Sequence, residues 1–89
     1  MKEQDKKRLR GLGHALHAVV IIGNAGLTDA VVAEIDLALD AHELIKIKVR
    51  TGDRQQRDEI IRDVCARTEA ELIQRVGNTA LLFRKESQT

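Results

Sequence analysis

The sequence contains no proline, tryptophan or tyrosine, and only one phenylalanine and one cysteine. RNA-binding domains of the RRM and OB-fold types stack several bases on aromatic side chains, so this composition excludes them. The single cysteine, Cys65, excludes an intrachain disulfide and a multi-cysteine metal site, and its apolar helical position predicts a core residue. The core must therefore consist of leucine, isoleucine, valine and alanine side chains.

The residues that most enzymes need are also missing. Ser87 is the only serine and lies close to the C-terminus. The three histidines, His14, His17 and His42, show no spacing typical of metal ligands. No lysine and threonine follow the glycines as they do in a nucleotide-hydrolysing P-loop. We therefore predict a protein that is not an enzyme, with no cofactor, no metal site and no small-molecule substrate.

Length and composition predict one folded domain. Of the 89 residues, 43% are hydrophobic and 33% are charged, so we expect a single domain over 1–85 and a frayed tail over 86–89. The N-terminus is charged and no apolar run approaches membrane-spanning length, which predicts a soluble, cytoplasmic protein with no membrane partner. We also expect a monomer.

The charges are segregated along the chain although the formal net charge is only +1. The segment 27–43 contains acidic residues and no lysine or arginine, whereas 44–50 contains basic residues and no acid. A molecule with this distribution can present one basic face to a nucleic acid while it stays nearly neutral overall.

Hydrophobic periodicity predicts seven elements in the order α-β-α-β-α-β-β. Leu9, Leu12 and Leu16 are expected to form the buried stripe of the first helix, and the acidic residues of the second helix are expected to face solvent. The first helix is predicted over 3–17 and the first two strands over 18–22 and 44–50. The second helix is capped by Thr28 and ends near His42, and the third begins with a capping box formed by Asp53 and Gln56. The last two strands, 71–76 and 79–84, form a hairpin around Gly77-Asn78.

This order predicts an α/β fold. Three strands linked by helices imply parallel pairing, and the final hairpin adds one antiparallel strand. The result is a two-layer sandwich with a four-stranded mixed sheet, in which the helices fully cover only one face. The open face would present Lys46, Lys48 and Arg50, which alternate with apolar residues along the 44–50 strand.

The loop Gly23-Asn24-Ala25-Gly26 is the strongest candidate for a binding site. Two glycines three residues apart allow a ligand to approach the backbone closely, since neither carries a Cβ atom. The helix that follows offers free N–H groups and the positive end of its dipole, which suit a phosphate, although Asp29 in its first turn competes with one. The loop also lies at the carboxyl end of a strand, where ligands of open α/β sheets bind.

Four stretches together resemble one known family: 10–16 (RGLGHAL), 19–28 (VVIIGNAGLT), 42–48 (HELIKIK) and 76–84 (VGNTALLFR). They are similar to the CRM domain, the chloroplast RNA splicing and ribosome maturation domain, whose stand-alone bacterial members are the YhbY-like proteins. The resemblance implies a fold like the C-terminal domain of translation initiation factor 3. It also implies binding to ribosomal RNA in precursors of the large ribosomal subunit, as a ribosome assembly factor.

The resemblance implies that the Gly23–Gly26 loop is the family's GxxG RNA-contact loop, flanked by basic residues. Ala25 stands where the family commonly has asparagine, and His17 stands where lysine is frequent. The predicted RNA-binding residues are Gly23, Asn24, Ala25, Gly26, Leu27, Thr28, Lys7, Arg10, His14, Lys46, Lys48, Arg50 and Arg84.

Two alternatives stay open at this point. A KH domain also binds RNA through a GxxG loop, but there the loop joins two helices, so the secondary structure around Gly23 discriminates between the two. In the other alternative, the chain is a protein-interaction adaptor that docks a basic partner through its acidic second helix.

Overall fold

The computed structural model describes residues 2–85, so the predicted tail over 86–89 lies outside the described residues. The observed elements are α1 (Glu3–Gly13), β1 (Ala18–Ile22), α2 (Asp29–His42), β2 (Leu44–Val49), α3 (Arg54–Thr68), β3 (Glu71–Val76) and β4 (Thr79–Phe83). This order confirms the prediction, with β2 and β4 each ending one residue earlier than expected. None of the helices between residues 2 and 85 has the length and apolar character to cross a membrane.

The four strands form one mixed sheet in the order β1-β2-β4-β3, which confirms the predicted fold class. Only β1 and β2 pair in parallel, since β4 lies antiparallel between β2 and β3. Strand β3 runs in the same direction as β1 and β2, as expected, but it does not pair directly with either of them. The reason is burial: Ala80, Leu81 and Leu82 of β4 are consecutive buried residues, and such a run needs a central position with both faces covered.

Helices α2 and α3 pack on one face of the sheet and form the main core. Both predicted N-caps are confirmed: the Thr28 hydroxyl accepts a hydrogen bond from the Val31 N–H at 3.2 Å, and Asp53 and Gln56 form a capping box with two bonds of 2.9 Å. Cys65 packs against this core as predicted. Burial, and then the negative charge of Glu71, raises the pKa of its thiol, which stays protonated at neutral pH.

Helix α1 packs on the opposite face and covers part of it, which agrees with the expectation that only one face is fully covered. Leu9 is 3% exposed and forms a second apolar cluster with Ile73 and Leu81. On β4, Leu81 points to this cluster, while its neighbours Ala80 and Leu82 point to the main core. Helix α1 therefore covers part of the second face, and the rest of that face remains accessible.

Helix α1 ends at Gly13, four residues earlier than predicted. A Cβ atom at Gly13 would lie 2.6 Å from a terminal carbon of Leu81, so glycine allows the helix to approach the sheet closely. The contact face is centred on Leu9 and Gly13, which leaves Leu12 54% exposed and contradicts its predicted burial. Leu16 still reaches the second cluster, but from the segment that follows the helix.

Candidate nucleic-acid interface

The Gly23–Gly26 loop forms a tight turn between β1 and α2. The Gly26 N–H donates a hydrogen bond to the Gly23 carbonyl oxygen at 3.0 Å, and Gly26 has a φ of +74°, a conformation that favours glycine. A Cβ atom placed at Gly23 would meet no atom within 4 Å. Gly26 is therefore required by the turn itself, whereas Gly23 leaves its backbone open to an approaching ligand.

The two residues after the turn hold the loop in place. Leu27 is partly buried against the main core, and Thr28 caps α2. The carboxylate of Asp29 forms an ion pair of 2.6 Å with Arg67 of α3. This pair offsets the negative charge at the start of α2, which is where an anion would otherwise be repelled.

Strand β2 carries the cations of the interface. Lys46 and Lys48 alternate with buried isoleucines and lie on the second sheet face, beside the strip that α1 leaves uncovered. Lys48 pairs in register with Ile21 of β1 on one side and with Thr79 of β4 on the other. Beyond the strand, the Arg50 N–H donates to the Ile22 carbonyl at 2.8 Å. The row of cations therefore leads towards the Gly23–Gly26 loop.

Two features of this surface are lined by no acidic residue among residues 2–85. The first, which we call the groove, has a volume of about 410 Å³. It is lined by His14, Leu16, His17, Ala18, Lys46, Lys48, Gln74, Val76, Thr79 and Leu81. The second is a shallow depression beside the loop, lined by Ile21, Gly23, Asn24 and Arg50. No aspartate or glutamate lines either feature among residues 2–85, although the chain contains 14 of them.

Lys46, Lys48 and Arg50 form no ion pair within residues 2–85. The ion pairs found in this part of the chain use Arg10, Arg67, Arg75 and Arg84. On α1, Arg10 pairs with Glu3 at 3.1 Å, and Lys7 is exposed. Neither of these two residues lines the groove or the depression.

Arg84, another predicted site residue, also lies outside the groove and the depression. Its guanidinium donates to Asp36 Oδ1 (2.7 Å), Asp40 Oδ1 (2.8 Å), the Asp36 carbonyl (3.0 Å) and the Thr68 carbonyl (2.7 Å). Burial tends to lower the pKa of Arg84, but the hydrogen bonds and charges of the two carboxylates outweigh it, so the pKa is raised. Phe83, the preceding residue, pairs with Leu44 at the start of β2, the opposite end of that strand from the loop. Asp40 still faces solvent as expected, with 74% of its side chain exposed, whereas Asp36 is partly buried, with 44% of its side chain exposed.

Replacing Arg84 with methionine is expected to lower the free energy of unfolding by about 2 kcal/mol, because charged hydrogen bonds joining α2, α3 and the end of β4 are lost. The measurement is urea denaturation followed by circular dichroism. The exposed Arg54→Gln variant is the control and should stay within about 0.5 kcal/mol of the parent protein. Equal stabilities of the two variants would contradict this role.

Six of the thirteen predicted residues line the groove or the depression, in two groups. Gly23, Asn24 and Arg50 share the depression, whereas His14, Lys46 and Lys48 share the groove. The predicted set does not include the other lining residues: Leu16, His17, Ala18, Gln74, Val76, Thr79 and Leu81 of the groove, and Ile21 of the depression. Strand alternation places Val76 and Thr79 on one face as a cross-strand pair, but no local signal places their hairpin beside β2.

The fold is shared with a solved structure of an α/β protein. The solution structure of a hypothetical protein from Staphylococcus aureus, described as a candidate RNA-binding protein, matches with a TM-score of 0.85 and 26% sequence identity. The match covers 99% of this chain and 92% of that one. The element order and the mixed sheet therefore belong to a fold that this chain shares with a small bacterial protein.

Sequence comparison identifies the family. An RNA-binding protein of Haemophilus influenzae is 40% identical over 88 residues, covering 99% of this chain and 89% of its own length. A probable RNA-binding protein of Pseudomonas aeruginosa is 38% identical over 85 residues, covering 96% and 82%. Residues 1–84 match the sequence profile of the CRS1 / YhbY (CRM) domain. The chain belongs to this family.

Proposed function

We propose that this protein binds RNA through the Gly23–Gly26 loop, Arg50 and the groove that contains Lys46, Lys48 and His14. We call these residues the RNA surface. The observation that carries the proposal is the absence of any acidic residue from the lining of the groove and depression, within the part of the chain that the structure describes. A polyanion is the partner that such a surface attracts. The RNA-binding names of the relatives support the same reading.

The loop and the strand would make different contacts with the RNA backbone. Gly23 and Gly26 expose main chain at the carboxyl end of β1, where a phosphate can approach without meeting a side chain. Lys46, Lys48 and Arg50 follow at two-residue intervals, about 6.6 Å apart along an extended chain. The row therefore extends over about 13 Å. Lys7 and Arg10 on α1 are outlying contacts in this proposal.

Arg84 is left out of the RNA surface. Its guanidinium is engaged with Asp36, Asp40 and Thr68, and it lies beyond the end of β4 that is remote from the loop. We assign it a structural role.

The geometry argues against both alternatives. The loop joins strand β1 to helix α2, whereas the GxxG loop of a KH domain joins two helices. An adaptor docking through α2 would need free acidic groups there. Three of the acidic residues of α2 are already paired within the chain, Asp29 with Arg67, and Asp36 and Asp40 with Arg84.

The cellular role proposed here is that of a non-enzymatic assembly factor that acts in the cytoplasm on ribosomal RNA within precursors of the large subunit. This finer assignment rests on the resemblance to the CRM family. The RNA surface is compatible with it, because a surface with few ring side chains recognises RNA through its shape and backbone more than through base sequence.

RNA affinity is expected to fall steeply with salt. If three phosphates are neutralised, the logarithm of the association constant should fall with a slope of about −2 against the logarithm of salt concentration. Affinity should then drop about 20-fold between 50 and 200 mM KCl. Fluorescence anisotropy with a labelled fragment of large-subunit ribosomal RNA measures this slope. A slope near zero would contradict phosphate contacts.

A further inference from the structure

We propose that the groove binds an unstacked base, so that the RNA surface selects single-stranded segments over duplex RNA. The inference rests on the proposed function and adds the class of RNA that the surface takes. In this arrangement the base lies between the segment that follows α1 and the β3–β4 hairpin, and Lys46 and Lys48 hold the neighbouring phosphates.

Four of the ten residues that line the groove are apolar, which phosphate binding alone does not require. They are Leu16, Ala18, Val76 and Leu81, the last only 3% exposed. Lysines lie among these residues on the same sheet face. A concave site with apolar walls, a few placed polar groups and a volume of about 410 Å³ has the character and size of a small-ligand pocket. A single base with its sugar is a ligand of this kind.

Exposed apolar side chains lie both in the groove and beside it on the same sheet face. Val76 is 64% exposed, and Ile21, paired with Lys48, is 52% exposed. Large apolar side chains exposed beside cations mark a contact surface. In an A-form duplex the bases are stacked inside the helix, and the accessible groove displays hydroxyls and base edges. An unpaired base, in contrast, offers its flat face, so only single-stranded RNA would cover these side chains.

The groove also contains the rings that could stack on such a base. His14 and His17 both line it and are both exposed. Histidine is one of the side chains on which unstacked RNA bases pack. Phe83, the only aromatic residue of the chain, packs in the second cluster and does not line the groove. The two histidines are therefore the available stacking partners.

The test compares two probes and two variants by fluorescence anisotropy. The probes are a labelled 12-nucleotide single strand without self-complementarity and the blunt duplex that it forms with its complement. The parent protein should bind the single strand at least about 10-fold more tightly than the duplex. The His14→Ala/His17→Ala variant should lose about 10-fold in single-strand affinity and change little towards the duplex.

A second variant separates stacking from charge. The His14→Phe/His17→Phe variant should bind the single strand within about 3-fold of the parent protein, because phenyl rings stack on bases without contributing charge. Thermal unfolding of each variant, compared with the parent, ensures that only folded protein is scored. Loss of single-strand binding in the phenylalanine variant while it stays folded would overturn the stacking assignment.

The outcomes distinguish this inference from the proposed function. Equal affinity of the parent protein for both probes would contradict the binding of an unstacked base in the groove and would leave the proposal of RNA binding intact. Failure to bind either probe at low salt would contradict the proposed function and, with it, the binding of an unstacked base in the groove.

Discussion

Replacing Lys46 and Lys48 together with glutamine is expected to weaken RNA binding about 100-fold at 100 mM KCl. Each lysine would lose one phosphate contact, which combines a charged hydrogen bond with the release of condensed counter-ions and is worth about 10-fold. The salt slope should become shallower by about 1.4, which a variant with a merely perturbed fold would not show in the same way. The measurement is the anisotropy titration repeated at several salt concentrations.

The matched control for this pair is Arg54→Gln/Arg62→Gln, which changes the net charge by the same amount on α3. Both arginines are exposed, and neither forms an ion pair in the described part of the chain. Helix α3 packs on the sheet face opposite to the groove. The control should bind RNA within about 3-fold of the parent protein, since screened charges far from the contact act weakly. If the two double variants lose affinity equally, net charge governs binding and the RNA surface is misplaced.

Local patterns were sufficient to predict most of the framework. The alternation in the 44–50 segment predicted both a strand and the common face of Lys46 and Lys48, because side chains of a strand point to opposite faces in turn. Thr28 and the Asp53–Gln56 pair predicted helix starts, because their side chains satisfy free backbone N–H groups. These signals depend on neighbours within a few residues, so they can be read from the chain alone.

The features that the sequence did not predict depend on distant contacts. Arg84 meets Asp36 across 48 positions of sequence, and no periodicity indicates such a pair. The insertion of β4 between β2 and β3 is similarly a matter of which strand is buried on both faces. It is this insertion that places Val76 and Thr79 beside Lys46 and Lys48. The loop and the cations could therefore be predicted, but the groove could not.

Introducing aspartates into the loop, as Asn24→Asp/Ala25→Asp, is expected to have the largest effect on RNA binding, a loss of at least about 1,000-fold. Both residues are exposed in the turn, and neither glycine is altered, so the backbone conformation is retained. Two carboxylates would then stand beside the open backbone of Gly23, where the proposal places a phosphate. They add repulsion in addition to the lost contact, whereas Lys46→Gln/Lys48→Gln only removes attraction. Anisotropy gives the loss for purified protein.

The same loop variant decides the cellular role when its sedimentation in a low-salt lysate is compared with that of the parent protein. The parent should travel with large-subunit precursors, and the Arg54→Gln/Arg62→Gln control, which has the same net charge as the loop variant, should travel with it. The loop variant should stay at the top of the gradient. If the loop variant sediments with the precursors, the loop is not the contact. If the parent protein binds purified RNA but stays at the top of the gradient, the proposal of RNA binding is retained and the ribosomal assignment is wrong. The partner must then be another RNA.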